Sequence, residues 1–302
     1  MTVPLISLAE GEALLDWLDL TDALAVGHRL PKAQIGDTFL YRDPDTMLSR
    51  AAWIDGLGMA VKTATIFPGN VDLPSINGGV SLYSDTDGRL DAMIDFHLVT
   101  KWKTAGDSLL AARRLAQPDA KRILIVGAGT VAASIRQAFG AGFPGATFHI
   151  WNRTRSRAAA LAKRYPDLTV EDDLETAVRA ADIIVGCTMA TDPWLRGDWL
   201  RPGQHVNLIG AYRPDMREAD DTALRRARIY VDSYDTTIGH IGEIEIPLSA
   251  GTIGRNDLLA DYYTLDVFNC APDDITLFKN GGGAHLDLMT SRHILTRWEA
   301  AQ

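Results

Sequence analysis

Residues Ile123-Leu124-Ile125-Val126-Gly127-Ala128-Gly129-Thr130-Val131-Ala132 decide the fold. Four β-branched or aliphatic residues run without a break into G-x-G-x-x-A, and a helical pattern follows from Val131 to Gly140. In such a strand–turn–helix unit the first glycine permits the tight turn. The second lets backbone approach a pyrophosphate, and the small third residue lets helix pack on strand. The unpaired amides at the helix start, reinforced by the helix dipole, then favour an anion. The motif alone is weak, and a plain structural turn or a flavin site remains the alternative. Its context strengthens the dinucleotide reading.

Downstream, short β-branched runs alternate with helical patterns. Candidate strands are Arg122–Val126, Thr147–Trp151, Asp182–Cys187, His205–Ile209 and Ile229–Asp232, and Arg155–Tyr165 and Asp173–Ala180 read as helices. That alternation predicts βαβ units and an α/β fold with a Rossmann-type, doubly wound parallel sheet. The NAD(P)-binding domain is placed at 117–286. Residues 1–116 read as an α+β domain for substrate binding and dimerisation. It has short apolar runs at Thr38–Tyr41, Gly58–Thr63, Gly79–Ser84 and Leu90–Ile94, hairpin chemistry at Asp85-Thr86-Asp87-Gly88, and a closing helix from Val99 to Leu115. A last helix, within 287–302, is expected to pack back on this first domain.

The second strand identifies the dinucleotide. An NAD site places an acid there, about 20 residues past the glycines, to hold the ribose 2′-hydroxyl. This chain has instead Trp151-Asn152-Arg153-Thr154-Arg155. A guanidinium at Arg153 suits a 2′-phosphate, with Asn152, Thr154 and Arg155 beside it, which predicts NADPH (NADP) over NADH (NAD). The competing reading is that Arg153 and Arg155 merely decorate a helix start, where positive charge is slightly unfavourable. Gly127, Gly129, Thr130 and Val131, with Cys187, Thr188 and Gly210 at later strand ends, complete the expected cofactor contacts.

Composition limits the function. The chain of 302 residues is 46% hydrophobic and 23% charged, and it carries a formal net charge of −9. A nucleic-acid partner, which needs a basic surface, is not expected. No apolar run approaches the roughly 20 residues of a membrane span, and the first twenty residues contain no Lys or Arg. The expectation is a cytoplasmic chain. Two cysteines, Cys187 and Cys270, predict no disulfide framework, and isolated His97 and His285 predict no metal site.

Four further segments concentrate charge beside small residues. They are Val61-Lys62-Thr63 leading to Phe67-Pro68-Gly69-Asn70, Asp95 through Ser108, Asn207 through Asp215, and Phe278 through Asp287. In that order they resemble the ornithine cyclodeaminase/mu-crystallin family along essentially the whole chain. The resemblance implies a two-domain, usually dimeric protein that handles an α-amino or α-imino acid beside a nicotinamide ring. It also implies roles. Lys62, of the K-x₅-P-x-N segment, lies by the substrate carboxylate and reacting carbon. Thr104 approaches the cofactor phosphates, Asp287 stands near the active site, and Arg50 is aligned with a carboxylate clamp.

Two departures from the family pattern bear on chemistry. Lys103 stands where the family usually has arginine, offering a point charge in place of a bidentate fork. Tyr212 stands where the cyclodeaminases carry an acid, which demotes cyclodeamination. Bland alternatives exist for each position. Lys62 and Lys103 could be surface lysines, Asp287 could cap the last helix, and Tyr212 could be a pocket wall. The Gly281–Gly283 run is harder to dismiss, since consecutive glycines lose much backbone entropy. Close approach of backbone to the nicotinamide is expected there, with Gly282 a cofactor contact.

These readings converge on an NADPH-dependent reductase of an imino acid, acting on C=N beside a carboxylate. Lys62 and Asp287 are the catalytic candidates, and Arg50, Lys62, Lys103 and Tyr212 the substrate-binding ones. The rivals are a cyclodeaminase-type lyase that recycles NAD, an alanine dehydrogenase-like enzyme, and a non-catalytic NADPH-dependent binder of a small acid.

Overall fold

The computed structural model describes residues 3–302; Met1 and Thr2, where the first expected domain begins, lie outside the described residues. The chain divides into two compact units. One comprises the chain up to Lys103 together with Gly283–Gln302, and the other is Thr104–Gly282. The first division falls inside a single helix, Phe96–Leu115, and not at its end at 116 as the sequence suggested. The second falls in the glycine run, four residues before the expected start of the last helix. A helical pattern reports local periodicity and carries no information on which unit each turn joins.

The first unit holds a six-stranded sheet. Its strands are β1 (Leu5–Ile6), β2 (Gln34–Arg42), β3 (Asp45–Ile54), β4 (Gly58–Ile66), β5 (Ile76–Tyr83) and β6 (Leu90–Asp95), in the order β1-β6-β5-β4-β3-β2. Pairing is antiparallel except between β1 and β6. The Asp85–Gly88 turn closes the β5–β6 hairpin, with Gly88 at φ +70°. Strand β3 escaped the sequence reading because Asp45–Ile54 does not alternate cleanly. In β4 the burial does alternate, and it puts Lys62 on the inward face with Ala60 and Ala64. The Ala284–Ala300 helix packs on β3, β4 and β5 and on the Trp17–Gly27 helix. This contact is tight, since a Cβ on Gly27 would come within 2.7 Å of Met289.

The second unit is an eight-stranded, wholly parallel sheet. Its strands are β7 (Arg122–Val126), β8 (Thr147–Trp151), β9 (Leu168–Val170), β10 (Ile183–Gly186), β11 (His205–Leu208), β12 (Arg228–Val231), β13 (Leu258–Ala260) and β14 (Thr276–Lys279). They lie in the order β13-β12-β14-β11-β10-β7-β8-β9. The five expected strands are present, and β9, β13 and β14 are additional. The first two additions have three residues each, too short for a periodicity signal, and β14 ends inside the charged segment that begins at Phe278. The central strands bury both faces, as parallel strands covered by helices must: Leu124, Val126, Ile184, Val206 and Leu208 on one face and Ile123, Ile125, Ile183, Val185 and Phe278 on the other are wholly buried. From β7 the chain winds outward through β8 and β9, then returns to lay β10 on the other side of β7. That reversal puts the topological switch point between β7 and β10, where a doubly wound sheet binds its ligand at the carboxyl ends of its strands.

Among the described residues no helix is long and apolar enough to cross a membrane.

Candidate active site

In the second unit the glycine turn has the form a phosphate cradle needs. Gly127 adopts φ +116°, a conformation open to glycine, and a Cβ there would lie 2.8 Å from the Cys187 carbonyl. Gly129 is the N-cap of the Thr130–Gly142 helix. It offers no side-chain cap, and a Cβ added to it would meet nothing within 4 Å. The helix therefore opens on unsatisfied amides and empty space, and this chain fits a dinucleotide pyrophosphate. Val131 continues the first turn, its side chain half-buried.

At the end of β8, Arg153 and Thr154 are exposed, and Asn152 donates to the Thr154 carbonyl at 2.9 Å. Arg155 is held by Asp172, its Nε 2.5 Å from Oδ1, so the two arginines differ. Arg153 has no side-chain partner among the described residues. Cys187 donates its thiol to the Val126 carbonyl, and burial pushes its pKa far up, so it is an inert neighbour of the glycine turn. Thr104 lies on the long helix, where its carbonyl accepts from Asn280. Gly282 adopts φ +71° and donates to Oδ2 of the buried Asp232 at 2.7 Å. A Cβ on Gly281 would come within 2.9 Å of Oδ1 of the same carboxylate. Asp232 thus sets the path of the glycine run. Tyr212 is 58% exposed in the loop after β11, beside Arg213.

In the first unit a charged cluster is buried. Nζ of Lys62 lies 2.8 Å and Nζ of Lys103 3.4 Å from the same oxygen, Oδ1 of Asp287. All three side chains are below a tenth exposed, so the surface-lysine reading fails for both lysines. The helix-cap reading of Asp287 fails as well. Gly283 is the N-cap, and Asp287 lies within the first turn with its carboxylate on Lys62. Its other oxygen, Oδ2, is buried with no donor among the described residues. An orphaned carboxylate oxygen in such a place calls for a ligand N–H or O–H.

Electrostatics follow from this geometry. Burial, then the neighbouring Lys62 and Arg50, lower the Lys103 pKa to about 8 against the pull of Asp287. Burial raises the Asp287 pKa, but the two ammoniums outweigh it and hold the carboxyl below its usual value. Lys62 Nζ also stands 4.7 Å from the centre of the Phe96 ring, a cation–π contact. Arg50 is the cross-strand partner of Lys62 on one side and of Asp37 on the other. It is bidentate on that aspartate, with Nε at 3.0 Å and 3.2 Å from its two oxygens. Asp37 was missed in the sequence because its significance depends on register.

Sequence reading also missed a buried ionic group in the second unit, made by Glu218, Glu243, Lys279 and Asp232, each wholly buried. Nothing in their local sequence marks them, since burial of a charge is decided by chain packing. Among the described residues no cluster of His, Cys, Asp and Glu is placed to hold a metal ion.

A sequence profile of the ornithine cyclodeaminase/mu-crystallin family matches residues 51–302. The chain is 47% identical over 300 residues to the Δ1-pyrroline-2-carboxylate reductase of Paracoccus denitrificans, covering 96% of this chain and 95% of that one. It is 33% identical over 250 residues to the ketimine reductase mu-crystallin of Mus musculus, covering 81% and 77% respectively. In fold it is similar to the Δ1-pyrroline-2-carboxylate reductase of Thermococcus litoralis, solved with NADH and L-proline. The TM-score is 0.87 at 22% identity, covering 99% of this chain and 98% of that one.

Proposed function

The chain belongs to the ornithine cyclodeaminase/mu-crystallin family, and on that premise we propose that it is a reductase of cyclic imino acids, reducing the C=N bond beside a carboxylate to give the cyclic amino acid. Δ1-Pyrroline-2-carboxylate, the substrate named for the 47% identical relative, is the first candidate. The observation that carries this reading is the buried Lys62–Asp287–Lys103 cluster with its orphaned carboxylate oxygen.

Two ammoniums converge on one aspartate oxygen, a buried cationic pair suited to receive one substrate carboxylate. Arg50 adds little, being neutralised by Asp37. A protonated imine is the better hydride acceptor, and Oδ2 of Asp287 is placed to accept from its N–H and hold the proton there. Lys62 supplies the proton when the imine arrives neutral, and Asp287 stabilises the charge that results. Low exposure of all three side chains keeps water from competing.

The second unit takes the dinucleotide, held by the Gly129–Thr130 helix start, Thr104, Thr188 and the Gly281–Gly282 backbone. When bound, the reduced nicotinamide supplies the hydride. NADPH is the preferred form, because the exposed Arg153 has no competing acid among the described residues while Arg155 is already engaged. The working form is a homodimer built on the first unit. Strand β2 is exposed along its length, and Phe39, Leu40, Tyr41 and Trp53 on β2 and β3 are 47%, 60%, 76% and 46% exposed.

The test is a turnover assay. NADPH oxidation on adding Δ1-pyrroline-2-carboxylate, with proline as product, supports the reductase. Ammonia release from ornithine without net oxidation overturns it in favour of a lyase, and cofactor binding without either reaction in favour of a binder.

A further inference from the structure

Glu218 lies between β11 and β12 in a loop of no regular structure, yet its side chain is wholly buried. Its carboxylate collects four donors. Oε1 accepts from the backbone N–H of Thr188 at 2.9 Å, the Thr188 hydroxyl at 2.6 Å and the Trp194 indole N–H at 3.3 Å; Oε2 accepts from the backbone N–H of Gly210 at 2.7 Å. Thr188 follows β10 and Gly210 follows β11, so one side chain ties together the loops leaving two adjacent strands beside the switch point.

The surroundings are built around that carboxylate. A Cβ on Gly186 would come within 2.9 Å of Oε1, and a Cβ on Gly210 within 1.7 Å of the Thr188 carbonyl, so both positions require the missing side chain. Glu243 accepts from the backbone N–H groups of Glu218 and Ala219, and the buried Lys279 supplies countercharge to both carboxylates.

We propose that Glu218 is a positioning residue for the dinucleotide, clamping the Thr188 and Gly210 loops into one rigid wall of the nucleotide crevice. By taking up the amide donors of both loops it leaves that wall short of groups that attract phosphate. The anion-attracting end is then the Gly129–Thr130 helix start, and the crevice acquires a direction: pyrophosphate at the glycine turn, uncharged nicotinamide ribose at the Thr188–Gly210 wall. The inference rests on the reading of this unit as the nicotinamide dinucleotide site.

The experiment is calorimetric titration of the full chain with NADPH and NADH, beside steady-state kinetics with Δ1-pyrroline-2-carboxylate. Glu218→Gln keeps the size but turns two acceptor oxygens into one acceptor and one donor. The expected result is a Kd for the preferred dinucleotide raised tenfold or more and its KM raised in parallel, while the KM of the imino acid stays within twofold. A purely structural role would lower Tm and leave the dinucleotide Kd within twofold well below that Tm, and that result overturns the proposal. If Glu218→Gln does not fold, Trp194→Phe decides. It removes one donor to the clamp, and a Kd raised threefold or more supports the proposal whereas an unchanged Kd overturns it. If the wild-type chain binds neither dinucleotide, the cofactor reading itself fails and this inference with it; if wild type and Glu218→Gln bind equally, this inference alone fails.

Discussion

Nζ of Lys62 donates to Oδ1 of Asp287 at 2.8 Å, joining residues 225 positions apart on the inward face of a strand and the first turn of a helix. Each would be expensive to bury alone, and removal of one partner from a buried pair commonly costs about 3–5 kcal/mol. Here Lys103 remains as a second counter-ion for the aspartate. Lys62→Met is therefore expected to fold and to bind NADPH normally, while kcat/KM for the imino acid falls on the order of 10²-fold or more, the scale of a positioned acid–base or electrostatic group. A kcat/KM within threefold of wild type would remove Lys62 from the mechanism.

If Lys103 reads the substrate carboxylate as proposed, activity should depend on pH with a definite sign. Its folded-state pKa is about 8, lowered by burial, with Lys62 on β4, Arg50 on β3 and Asp287 on the last helix as the charges around it. Its ammonium, the proposed partner of the substrate carboxylate, is present below that pH and lost above it. So kcat/KM should fall as pH rises through about 8. In Lys103→Arg, whose guanidinium does not titrate there, that limb should move upward. A profile of identical shape in both proteins would show that Lys103 does not read the carboxylate.

Stability should move the opposite way. In the unfolded chain Lys103 regains an ordinary pKa near 10.4, so between about pH 8 and that value the unfolded state binds more protons. The Lys103 contribution to stability thus rises with pH over this window. Chemical denaturation of wild type and Lys103→Met across it should show the difference between the two shrinking or reversing as pH rises. A constant difference would mean that Lys103 binds its proton equally well in the folded and unfolded chain, and so is not shifted by burial.

Arg153→Asp should move cofactor preference from NADPH toward NADH. The change replaces a guanidinium suited to a 2′-phosphate by a charge that repels it and can accept from a 2′-hydroxyl. Wild-type protein that already uses NADH with equal or better kcat/KM would refute the assignment.

Light scattering of the purified chain should give a dimer at micromolar concentration. Tyr41→Asp with Leu40→Asp, on the exposed strand β2, should shift it toward monomer. A wild-type monomer at that concentration would leave the exposed apolar strand without the proposed partner.

The nucleotide unit was legible from the sequence because its signals are local. Aliphatic runs, the glycine turn after β7 and the run Trp151 to Arg155 act over a few residues, and Gly127 at φ +116° occupies the turn the motif demands. Quoted motifs also placed Lys62, Lys103 and Asp287 among the candidates by resemblance. Their meeting on one carboxylate oxygen was not legible. It depends on the inward phase of β4 and on a helix 225 positions away that packs against that strand. The same limit hid Asp37, Glu218, Glu243 and Asp232. Each is an ordinary acid in its local sequence: the pairing of β2 with β3 sets Asp37 beside Arg50, and distant segments exclude water from Glu218, Glu243 and Asp232. Sequence periodicity determines which elements form and which face of each is apolar; the energy of a charge depends on its solvent and its neighbours, and those exist only in the folded chain.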